Sequence, residues 1–388
     1  MKLIAKLIAG IVLGTLLGLF APDWIIKTLL TFKVLFGQLL FFTIPLLILF
    51  FITSGIAGLP QNSGRLLGRT LGTAYLSTIV AGVLAFFAAS IVVPFLATAS
   101  AEAATGGSGE ALAPFIELQI PPLLGIMSAL ATAFIFGLGI AATGASQLKQ
   151  LSDEGRDVIE KLLVVVIIPL LPFYIAGVFA ELAAAGTVFE TLRTFGVVLA
   201  LSISLHWLWI LCLFSLAGLR AGMSPFSLIR NMLPAYFTAL GTMSSAATIP
   251  VTLQATRNNG VKEDIADFTV PLCATTHLAG STITIVACAV AVMVIHDALA
   301  LPSLLTMLPF ILMLGIVMLA APGVPGGAVM AAVGLLGSML GFGETAIALM
   351  IALYMAQDSF GTACNVTGDG AIAVMVDQAS QQREPGVS

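Results

Sequence analysis

The chain has 388 residues, of which 59% are hydrophobic and only 9% charged. That balance excludes an ordinary soluble domain. The four cysteines sit in apolar stretches without metal-ligand spacing, which argues against a disulfide framework or zinc site. With a net charge of −4 and no basic patch, nothing marks a nucleic-acid partner.

At about 1.5 Å per residue, roughly 20 helical residues cross a bilayer core. Apolar runs near 3–20, 27–56, 67–97, 122–145, 158–183 and 191–219 predict six spanning helices. The first run begins with two lysines, but no small-x-small cleavage site follows it, so it reads as an uncleaved span rather than a signal peptide. Residues 97–119 carry glutamates and no Lys or Arg, as expected of a flexible external loop.

Four irregular units follow, at 224–256, 263–295, 302–341 and 343–377, each with a polar or Gly/Pro interruption near its middle. The first turns at TMSSAATIP (242–250) and the third at AAPGVPGG (320–327). Their legs of about 15 residues are too short to span, so both are expected to be re-entrant hairpins whose half-helices meet in mid-membrane. Pro250 and Pro325 suit first-turn positions of the returning legs, whose N-termini would offer N–H groups to an anion. Read this way, with the N-terminus inside, twelve of the fifteen basic residues are cytoplasmic and only Lys27, Lys33 and Arg193 external. Small-residue clusters also serve close helix packing in membranes, but two clusters, each placed before a polar-broken helix, fit an inverted repeat around a central site better.

The second unit is broken at CATTHLAGST (273–282), where His277, a glycine and several hydroxyls interrupt the apolar run. Such a break in hydrocarbon usually marks a ligand or ion path. In the last unit Asp358, Thr362, Asn365 and Asp369 stand at i, i+4, i+7 and i+11, one narrow polar stripe of a helix. Each ionised carboxylate there costs roughly 3 kcal/mol unless paired, so the stripe must face a cation, an ammonium or water. No arginine or lysine in a nearby span supplies a partner. His206, beside Trp207 and Trp209, reads as an interfacial or packed histidine.

SSAATIPVTL in the first hairpin, the PLxATxxxxG frame at 271–280, GVPGG in the second hairpin and NVTGD at 365–369 occur in this order. Together they resemble the dicarboxylate/amino acid:cation symporters, the glutamate-transporter fold. The likeness is clearest over 220–377. It implies an all-α polytopic membrane protein of eight transmembrane helices plus two re-entrant hairpins. It further implies a homotrimer in the plasma (cell inner) membrane with both termini cytoplasmic, in which a transport domain slides past a scaffold. On that pattern residues 1–66 form scaffold spans 1 and 2, 67–97 the third span in the transport domain, and 98–121 the external loop. Residues 122–190 form scaffold spans 4 and 5, 191–377 the transport core, and 378–388 a cytoplasmic tail.

The resemblance also implies residue roles. Asp358 is expected to bind a substrate ammonium and Asn365 the substrate backbone, with Ser244, Ser245, Ser281, Val324, Gly327, Gly361 and Thr362 around the same pocket. Asp369, with Asn365 beside it, is expected in one sodium site, Thr275 in a second, and Tyr75 and Thr78 in part of a third.

The departures are specific. Where the family has Asn-Met-Asp-Gly-Thr, this chain has His277-Leu278-Ala279-Gly280-Ser281, so the third cation site should be lost or altered. Gly361 and Met243 stand where acidic-substrate members place an arginine. The expected activity is therefore cation-coupled symport of a small amino acid with a neutral side chain, without any cofactor beyond the coupling cation, sodium or a proton. Gly361 is expected to leave room for a larger side chain. His277 is either a proton-coupling group or a neutral histidine bonded to Thr275, Ser281 or a hairpin carbonyl; protonated, it would instead pair with a substrate carboxylate. Acidic amino acid or dicarboxylate symport, an uncoupled anion channel of the same fold, and a hydrolase using Ser245, His277 and Asp358 are the competing readings.

Overall fold

The computed structural model describes residues 2–58, 64–98, 112–116, 118–296 and 299–381; most of the expected external loop, Asp297 and the tail from 382 lie outside them. Every regular element among the described residues is helical. In chain order these are α1 (Lys2–Phe20), α2 (Asp23–Ala57), α3 (Gly64–Thr98), α4 (Ile126–Thr143), α5 (Ser146–Leu162), α6 (Ile168–Ala184) and α7 (Val188–Ala221). They are followed by α8 (Pro225–Thr242), α9 (Ser245–Asn258), α10 (Glu263–Thr276), α11 (Ala279–Ile295), α12 (Leu304–Met318), α13 (Gly327–Leu340) and α14 (Glu344–Gln381). Counting α5–α6 and α10–α11 as continuous rods, seven helices are long and apolar enough to cross a membrane. Eight were expected; the difference is α1, which is apolar but shorter.

The helices pack as two groups. In one, α1, α2, α4, α5 and α6 lie on one another. Gly10, Gly14 and Gly18 of α1, at i, i+4 and i+8, face α6 so closely that a Cβ on each would strike the carbonyl oxygen of Pro172, Ala176 or Ala180. Small residues at this spacing let two backbones touch, the main source of helix affinity where lipid already satisfies apolar side chains.

The fifth span is longer than its hydropathy predicts. A polar helix, α5, runs into α6 through a π-helical turn, Leu163–Ile167. Pro169 lies just beyond this turn and cannot donate to the carbonyl four residues earlier, a strain that a widened turn relieves. α5 holds to α2 by polar contacts: Ser54 Oγ donates to Asp153 Oδ1 at 2.7 Å, and Arg156 Nη1 reaches Ser54 Oγ at 3.1 Å.

The second group comprises α3 and α7 to α14, with α14 at its centre against α7, α8, α9, α10 and α11. Beyond its hydroxyl-bearing first turns α11 is apolar around its circumference, and it is buried along nearly its whole length, as such a helix must be. α8 with α9, and α12 with α13, form two helical hairpins, and none of the four legs is among the helices able to cross alone. The two groups meet mainly where α13 lies on α2 and α4, at Gly55 against Ala320, and where Gln38 Nε2 donates to Glu344 at 3.3 Å.

The hairpin tips correct the expected proline positions. Pro250 is the sixth residue of α9, and Pro325 precedes the N-cap of α13. Capping decides both starts: Ser244 Oγ accepts from Ala247 N, and Gly326 takes a left-handed φ of +76° that suits glycine. Met243, by contrast, holds φ +55° without being glycine, a strained conformation at the first tip.

Candidate functional site

The two tips and α14 enclose a cleft of about 320 Å³, its open mouth included. Of the residues singled out in the sequence, Ser245, Ser281, Val324, Asp358, Thr362 and Asn365 line it, together with Met243 and Tyr354. Among the described residues no lysine, arginine or histidine does. The tips touch through Ser244, whose Oγ lies 3.0 Å from the Gly323 carbonyl oxygen, so Ser244 joins the hairpins rather than lining the cleft.

Asp358 is buried and doubly bonded. Its Oδ2 accepts from Gly326 N at 2.7 Å and its Oδ1 from the Tyr354 hydroxyl at 2.8 Å. The N-terminal end of α13 therefore meets a carboxylate of the protein itself, the kind of group its partial positive charge favours. Asn365 does the same for α11: its Oδ1 accepts from Gly280 N at 2.8 Å and Ser281 N at 3.2 Å, while its Nδ2 donates to Ser281 Oγ at 2.9 Å. The break at His277–Leu278 is thus paired by a side chain of α14, as backbone freed inside a membrane must be.

Two further expected pocket residues stand elsewhere. Gly361 faces α11: a Cβ there would lie 3.3 Å from Thr284 Oγ1 and 3.4 Å from Ser281 N. Its missing side chain lets α14 approach α11 and adds no room for substrate. Gly327 is absent from the lining and packs on Pro322.

Deeper along α14, Asp369 pairs with His277, whose Nδ1 lies 2.9 Å from Oδ1, and His277 Nε2 lies 2.9 Å from Ser77 Oγ. The expected partners Thr275 and Ser281 are not used: Thr275 is exposed and bonds the Leu272 carbonyl. Asp369 Oδ2 has no hydrogen-bond partner among the described residues. Tyr75 donates to the Leu312 carbonyl and Thr78 to the Ala74 carbonyl, while Ser77, between them in sequence, reaches the His277–Asp369 pair. His206 is a packed histidine, buried, with Nε2 at 3.0 Å from the Gly280 carbonyl and 3.1 Å from Thr284 Oγ1. The hydrolase constellation is not assembled, because His277 bonds Ser77 and Asp369 and neither Ser245 nor Asp358.

Sequence reasoning missed Ser77 and Tyr354. The only signal for Tyr354 was its place four residues before Asp358, and Ser77 carried none beyond facing the helix that holds the broken turn.

The profile of the sodium:dicarboxylate symporter family matches residues 3–379. The chain belongs to this family. It is a multi-pass membrane transporter of the cation-coupled symporter class, not an enzyme. Among curated proteins it is 33% identical over 299 residues to the serine/threonine transporter SstT of Streptococcus suis (strain 05ZYH33), covering 74% of this chain and 81% of that one. To the serine/threonine transporter SstT of Enterococcus faecalis (strain ATCC 700802 / V583) it is 25% identical over 408 residues, covering 99% and 93%.

Proposed function

We propose that this symporter carries small neutral amino acids, serine and threonine foremost, bound between the hairpin tips and α14. The observation that carries the reading is a buried carboxylate, Asp358, on a cleft that offers no cationic side chain among the described residues. A substrate ammonium satisfies that carboxylate, whereas a second substrate carboxylate would find no arginine to clamp it. Ser245, buried on the same wall, offers a hydroxyl and the first turn of α9 to the substrate carboxylate. The names of the two relatives agree with this class of substrate.

In this reading α3 and α7 to α14 move as the transport domain past a scaffold of α1, α2 and α4 to α6, within a homotrimer, with re-entrant hairpins and cytoplasmic termini. The sparse contact between the two packed groups supports it. Coupling is assigned to Asp369, by sodium at its unpartnered oxygen or by a proton on His277. Uptake of an amino acid panel into proteoliposomes, under separate sodium and proton gradients, tests the whole. Serine and threonine should accumulate under at least one gradient. Aspartate or succinate competing better than serine would overturn the substrate class, and failure of every gradient to drive accumulation would favour an uncoupled channel.

A further inference from the structure

Tyr354 is a polar side chain on the cleft wall to which no role has been given. It lies one helical turn before Asp358, is fully buried, and donates its hydroxyl to Asp358 Oδ1 at 2.8 Å. On the same wall Ser281 Oγ accepts from Asn365 Nδ2 at 2.9 Å. An ionised carboxylate only accepts, and each hydroxyl has one proton to give. The Tyr354 hydroxyl therefore gives its one proton to Asp358 Oδ1.

The two donors to Asp358 differ in what carries them. Tyr354 is on α14 with Asp358 and stays beside it whatever the hairpins do. Gly326 belongs to the tip of the α12–α13 hairpin, a separate element that can withdraw. Oδ2 is then the oxygen left without a donor from the protein. We propose that Tyr354 is a positioning residue for amine selectivity: by holding Oδ1, it leaves Oδ2 as the one oxygen presented to a substrate ammonium, which takes the place of the Gly326 N–H. This rests on the amino acid symport proposed above.

Tyr354→Phe removes one oxygen and keeps the ring. The readout is competition by serine and by 3-hydroxypropionate, which is serine without its amino group, each raised to the concentration at which it competes. Losing a hydrogen bond to a charged group is expected to raise the serine concentration for half-inhibition about tenfold or more. The value for 3-hydroxypropionate should stay within about twofold, so discrimination between the two collapses. Equal losses for both compounds, or an unchanged ratio, overturn the proposal and leave Tyr354 a packing residue. Wild-type protein that accumulates no amino acid under any gradient would instead defeat the transport reading, and that is measured first. Should Tyr354→Phe fail to fold, 3-fluorotyrosine at position 354 keeps the hydroxyl and makes it a stronger donor. Serine should then tighten relative to 3-hydroxypropionate, and an unchanged ratio again overturns the assignment.

Discussion

His277 Nδ1 stands 2.9 Å from Asp369 Oδ1, both side chains closed off from the surface. An ionised Asp369 selects the tautomer that carries its proton on Nδ1, leaving Nε2 to accept from the Ser77 hydroxyl. Ser77, His277 and Asp369 thus tie α3, the α10–α11 break and α14 together at one point. Partnering by histidine explains how Asp369 is tolerated without a lysine or arginine, and it leaves Oδ2 free for a cation.

Asp369→Asn removes the charge while keeping the shape. Gradient-driven accumulation should fall about tenfold or more, since charge-assisted contacts are roughly 1.5–3 kcal/mol each. Uptake in proteoliposomes, followed across sodium concentration and external pH, checks it. A curve identical to wild type at every ion concentration would remove Asp369 from the coupling site.

His277→Asn separates the two couplings. If the proton is the coupling ion, a pH gradient drives accumulation in wild type and ceases to do so in His277→Asn. Sodium-driven accumulation that ignores pH and survives the substitution leaves His277 only the structural role of holding the break.

The bundle was legible in the sequence and its interior register was not. Hydropathy locates spans because lipid demands apolar length, and the Asp358–Asp369 stripe is visible because 3.6-residue periodicity puts it on one face. Periodicity does not say which neighbour a face meets. Gly361 looked like room for substrate and proves to be the contact with α11; Thr78 is buried beside Ala74 while its neighbour Ser77 is the residue that reaches His277. α5 was missed because its helix is polar and hydropathy reports only the apolar part of a rod. The tip prolines misled because capping by Ser244 and Gly326, not proline, sets where α9 and α13 begin.

Gly14→Leu should lower stability more than an ordinary lipid-facing substitution. The new side chain must enter space held by the Ala176 backbone, so α1 and α6 have to part along the stripe of Gly10, Gly14 and Gly18. A loss of about 1–3 kcal/mol, the usual cost of overpacking, is expected. Thermal unfolding in detergent measures it, with the exposed Leu13→Ala as a control expected to change little. Equal midpoints for the two would mean that the α1–α6 contact contributes nothing.

Met243→Arg tests what keeps acidic substrates out. Met243 lines the cleft, and either side chain there bears the same left-handed backbone, so the strain at the tip is unchanged by the exchange. A guanidinium beside Asp358 offers a second carboxylate the bidentate partner it lacks. Aspartate should begin to compete for uptake while serine weakens, because the arginine also pairs with Asp358 in the empty cleft. Aspartate that still fails to compete would place the discrimination elsewhere than in the missing cation.

The last prediction concerns movement between the two packed groups. A Cβ on Gly55 of α2 would lie 2.9 Å from the Ala320 Cβ, at the second hairpin tip. Disulfide-linked residues hold their Cβ atoms about 3.5–4.5 Å apart, so a small separation of the helices brings Gly55→Cys and Ala320→Cys into bonding geometry. In a background where the exposed Cys212 is serine, an oxidant should form this bond. If α3 and α7 to α14 slide past the other group during each cycle, the cross-linked protein should stop transporting, recover under a thiol reductant, and still bind serine from one side. Full transport by the quantitatively cross-linked protein would rule out sliding at this contact, and the two groups would then have to work as one rigid body.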